Sequence, residues 1–108
     1  MKYLNYQQLI PLRDALDRLL MFVKALPCQE TPYFYHYLDT MKHNIELYVK
    51  LENGNMDLLE VLLQKDWNHA NNNLFGIPSF DYFQKNEDTV ELFWEYLELL
   101  DEVKKYFR

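Results

Sequence analysis

"TPYFYHYLDTMKHNIELYVKLENG", residues 31–54, is the stretch on which the fold turns. Thr31 suits an N-cap, and Pro32 suits the first helical position, where its missing N–H is not needed. Phe34, Leu38, Met41, Ile45, Tyr48 and Val49 then recur at the three- and four-residue spacing of one buried helical stripe. Asn53 and Gly54 read as the stop, with Gly54 expected in the left-handed conformation. The remaining large rings, Tyr33, Tyr35 and Tyr37, fall on the flanks, where neighbouring helices or a partner would cover them.

The same period appears on both sides. Upstream, Leu9, Leu12, Leu16, Leu19, Leu20, Val23 and Leu26 share a face within about 4–26, and Asn5 with Gln8 has the spacing of a capping box. Pro11 either kinks that helix or marks its start. Downstream, Asn55 caps a third helix whose inner side is Met56, Leu59, Leu62, Leu63, Trp67 and Ala70. A fourth is expected from Asn86, with Glu87 and Asp88 in its first turn and Lys104, Lys105 and Arg108 in its last. Its apolar face comprises Leu92, Phe93, Tyr96, Leu97, Leu99, Leu100, Val103 and Phe107. No segment alternates with the period of two that a strand requires.

The expected fold is therefore all-α: a four-helix up-down bundle over 1–108, one domain, with a long apolar connection between helices three and four. That connection includes "NNNLFGIPSFDYF", residues 71–83, in which Leu74, Phe75, Ile77, Phe80, Tyr82 and Phe83 occupy a place where polar residues are the rule. Either the loop plugs the bundle, or some of its rings wait for a partner. The PSFDYF segment could form a single helical turn.

Composition narrows function mainly by exclusion. Seventeen acidic against eleven basic residues give a net charge of −6. Nucleic acid and anionic membrane surfaces are held by basic patches, so neither is an expected ligand. No apolar run approaches the roughly 20 residues of a membrane span, and charges interrupt the N-terminal run before Cys28, so no lipoprotein-type signal is expected. A lone cysteine permits no internal disulfide and fits a cytoplasmic setting.

Chemistry finds few footholds. His36 and His43 are seven apart, about 10 Å along a helix, too far to share a metal. His69 lies at the end of the third helix, where a histidine is favourable on electrostatic grounds alone. Ser79 is the only serine and has no glycine-rich elbow, and Gly54 and Gly76 are isolated, so no phosphate-cradling loop exists. No catalytic residue, metal site or cofactor is expected.

One acidic stripe reads either as a solvated helix face or as a docking surface for a basic partner. Glu87, Glu91, Glu95, Glu98 and Glu102 line one stripe of the fourth helix, with hardly any lysine between them. Like charges at this spacing oppose helix formation by a few tenths of a kcal/mol per pair. With Phe75, Phe80, Tyr82 and Phe83 they form the expected partner-binding set: aromatic anchors beside an acidic rim, suited to a basic protein. The concrete reading is a non-enzymatic binder, an inhibitor or immunity protein for a basic toxin or nuclease. The alternative is a structural or regulatory subunit that self-associates through the 74–83 aromatic loop.

Overall fold

The computed structural model describes residues 4–28, 30–51 and 54–107. Among these the chain is all-helical, without a strand. There are five α-helices, α1 (Tyr6–Ala25), α2 (Tyr33–Lys50), α3 (Met56–Ala70), α4 (Tyr82–Lys85) and α5 (Val90–Lys104), and a 3-10 turn at Ile77–Ser79. The expected count of four long helices is thus supplemented by a fifth, one turn long, within the connection.

α1 begins as its capping box demands. The Asn5 side chain accepts from the Gln8 N–H at 3.1 Å, and the Gln8 side chain accepts from the Asn5 N–H at 3.0 Å. Pro11 lies inside the helix rather than at its start. All seven residues of the expected stripe are buried, together with Leu4 and Ala15. Asn55 caps α3 through the Leu58 N–H at 3.1 Å.

Two expected boundaries move. α2 starts one residue later, at Tyr33, with Pro32 extended before it and no side-chain cap. Its stop does not use a left-handed glycine, for no described glycine has positive φ; Asn53 lies outside the described residues. Gly54 serves sterically instead: a Cβ there would run into the Tyr48 ring.

Ion pairs give the register of the long helices. Arg13 pairs with Glu46 and Asp17 with Lys42, so α1 and α2 run antiparallel. Phe22 stacks on Tyr96, and Arg18 lies close enough to Glu102 to help lower its carboxyl. α5 therefore runs back along the C-terminal half of α1. Phe107 then stacks on Trp67 of α3 at 5.3 Å between centroids. At about 1.5 Å per residue, α5 ends before the level of α1's first turns. One end of the molecule consequently has α1, α2 and α3 but no α5, in keeping with extents of 48 × 24 × 23 Å.

Candidate functional site: the outer face of α5

The connection divides its aromatic residues between two roles. Phe80 packs edge-on against Phe34 at 5.2 Å and against Tyr96 at 5.8 Å, and Phe83 lies 5.2 Å from Tyr96 and 5.3 Å from Phe93. Both are half-buried against the core, and Tyr82 packs across Phe80 and Phe83. Tyr96 is enclosed by these rings with its hydroxyl unpartnered among the described residues, and burial pushes its pKa upward. Phe75 behaves differently. It is 63% exposed and lies over Tyr33 of α2, 5.9 Å between centroids.

Committing Phe80 and Phe83 to the core changes where the last helix begins. Asn86 is not its N-cap. Its side chain donates to the Tyr82 carbonyl at 2.7 Å and finishes α4. The chain then reverses through Asp88, whose φ of 60° is left-handed, and α5 starts at Val90. Thr89 is buried, and its hydroxyl donates to the Asn86 carbonyl at 2.9 Å. Glu87 and Asp88 therefore lie ahead of α5, and their expected place in its first turn is corrected. The four other acids, Glu91, Glu95, Glu98 and Glu102, are on α5 and exposed.

These acids have neighbours the linear reading did not assign. Glu102 accepts from Lys105 at 2.9 Å, and that bond, with the nearby Arg18, holds its carboxyl below the usual range. Asp81 pairs with Lys85 at 3.0 Å. Glu91, Glu95 and Glu98 have no ion pair within the chain among the described residues.

Trp94 is the residue that sequence reasoning missed. It is 61% exposed, and helical spacing sets Glu91 three residues before it and Glu98 four after, on the same side. Beside it a cleft of about 280 Å³ is lined by Phe83, Gln84, Thr89, Val90, Phe93 and Trp94. The signal was present: Trp94 is the one aromatic of the helix outside its apolar stripe. An exposed aromatic amid acids is present on α5, but it is Trp94; Phe75 lies over α2, and Phe80 and Phe83 pack against the core.

Groups with catalytic potential are placed otherwise. His36 and His69 each meet an edge of the Tyr37 ring, at 5.9 and 5.3 Å, and His43 Nδ1 lies 2.9 Å from the Asp39 carbonyl oxygen. Burial pushes the Cys28 thiol up, away from the thiolate a nucleophile needs. Among the described residues no three His, Cys, Asp or Glu side chains are grouped to hold a metal ion, and no helix is long and apolar enough to cross a membrane.

No family model, curated protein or solved structure matches this chain.

Proposed function

We propose that the protein is a non-enzymatic binding module of the cytoplasm that docks a basic protein, most concretely as an inhibitor or immunity protein for a basic toxin or nuclease. The observation that carries this reading is Trp94, an exposed indole flanked by carboxylates that have no ion pair among the described residues. Desolvated tryptophan is among the commonest energetic centres of interfaces, and unpaired surface charge accelerates encounter with an opposite surface. In this mechanism Glu91, Glu95 and Glu98 draw in the positive surface that would otherwise hold substrate phosphates. Trp94 then seats in a pocket of the partner and slows release. α1, α2, α3 and α5 act as an up-down bundle that keeps the face rigid.

The test is capture of partners from the source cell at low and high salt, using wild type, Trp94→Ser and Glu91→Lys/Glu95→Lys, each checked for helicity. A basic protein retained at low salt, released by high salt and lost in both folded variants is the expected result. Retention unchanged in both variants would remove the α5 face from the reading. The second reading, a structural or regulatory subunit that self-associates through the 74–83 loop, draws on the exposure of Leu74, Phe75 and the adjacent Tyr33. It requires an oligomer that salt leaves intact and Phe75→Ser disperses.

A further inference from the structure

Around Trp94 two surfaces of opposite character meet. From Asn86 to Val103 the chain has seven acidic residues and no base, and all seven acids are exposed. The cleft of about 280 Å³ beside them is lined between Phe83 and Trp94, a stretch described throughout, and none of its lining residues is charged. Its polar groups are few. The Thr89 hydroxyl is buried and shared between the carbonyls of Phe83, at 3.2 Å, and Asn86, at 2.9 Å. Gln84 is the other polar lining residue, and it is exposed. An occupant therefore gains from apolar contact, and a buried polar group would find little to bond. The volume falls below the roughly 300–1,000 Å³ of small-molecule sites and suits a side chain.

Trp94 is one wall of that cleft and is also 61% exposed. Glu91 stands one turn before it and Glu98 one turn after, each about 5–6 Å away between Cβ atoms by helical spacing. A cation resting on the indole is attracted by the ring and lies within reach of both carboxylates. Arginine meets both demands at once. Its planar guanidinium stacks on an aromatic face and keeps N–H donors at its edge for carboxylates, whereas the lysine ammonium is a compact, strongly hydrated point charge.

We propose that the partner reaches α5 with an arginine and a neighbouring large aliphatic side chain. The guanidinium lies on Trp94 between Glu91 and Glu98, and the aliphatic group fills the cleft. This rests on the docking role of α5 and adds what the partner must present there. Charge complementarity decides among occupants. A second copy of this chain, at −6, or any acidic partner would meet seven like charges. A purely apolar segment would dry the carboxylates without a counter-charge, which is costly. A purely basic segment would leave the apolar cleft unfilled.

The test titrates the full chain with alanine-based helical peptides whose arginine and leucine stand four residues apart, on one face. With two tryptophans there are two indole N–H resonances, and Trp67, 4% exposed, is the internal reference. The arginine–leucine peptide is expected to shift the Trp94 signal and not that of Trp67. Alanine in place of leucine should weaken binding about tenfold, and lysine in place of arginine about threefold or more. Val90→Ser, at an exposed edge of the cleft, should weaken the arginine–leucine peptide and leave the arginine–alanine peptide unchanged. Equal binding with and without leucine, equal binding of lysine and arginine, or an unmoved Trp94 signal overturns the proposal. Capture of a basic protein that Trp94→Ser abolishes would still uphold the docking role of α5, so the two fail separately.

Discussion

The ring of Phe80 stands edge-on to that of Phe34, 5.2 Å between centroids, and so ties the connection to the fully buried row of α2. Phe75, five residues earlier, has the exposed Tyr33 as its one ring partner among the described residues. Truncation should separate the two. Phe80→Ala is expected to cost about 2–3 kcal/mol, somewhat below the range for fully buried rings. Phe75→Ala should stay within about 0.5 kcal/mol. Urea unfolding of both variants measures the difference, and equal costs would mean that the loop is not divided in this way.

Gly76 is buried where the connection turns back on the end of α3. A Cβ there would meet backbone atoms of Ala70 and Asn72, which cannot swing aside. Its φ of −96° is open to any residue, so close approach alone requires glycine. Gly76→Ala should destabilise by about 2–3 kcal/mol, and Gly54→Ala by about 1 kcal/mol, because the Tyr48 ring can move. Comparing the two melting midpoints under one condition tests that order.

Asp88 holds a left-handed backbone that costs a side-chain-bearing residue about 1–2 kcal/mol, least for Asp and Asn. Asp88→Val should therefore lose about 1–2 kcal/mol although the side chain is exposed. Asp88→Gly should be neutral or gain up to about 0.5 kcal/mol, since relief of strain offsets the greater entropy of the unfolded glycine. A valine variant as stable as wild type would mean that the reversal before α5 does not depend on this conformation.

Burial raises the Asp66 carboxyl, opposed by His69, Lys65 and His36 nearby. A carboxyl raised on folding favours the folded state with its proton on. That contribution is present below the ordinary carboxylate pKa and is lost as pH rises through the raised value. Asp66→Asn should thus gain a little stability at neutral pH, less than about 0.5 kcal/mol for a partly solvated charge, and nothing in acid. Denaturation at neutral pH and at about pH 3 gives the comparison. A gain of equal size at both would assign the effect to something other than this proton.

The amino-acid order alone determined the long helices, two of their caps and most of the buried stripe. Asn5 with Gln8 and Asn55 with Leu58 act within a single turn, and the leucines of α1 all face inward because their period is that of the helix. Such features need no neighbours to exist. The tertiary structure decided the rest. Leu62 and Leu92 belong to apolar stripes yet remain exposed, because a flank is buried only if another helix reaches it. α5 starts at Val90 rather than after Asn86 because Phe80 and Phe83 are drawn onto Phe34 and Tyr96, and Asn86 is used to end the short helix that carries them. Periodicity records which side of a helix is apolar; how far along its length that side is covered depends on where the other helices stop.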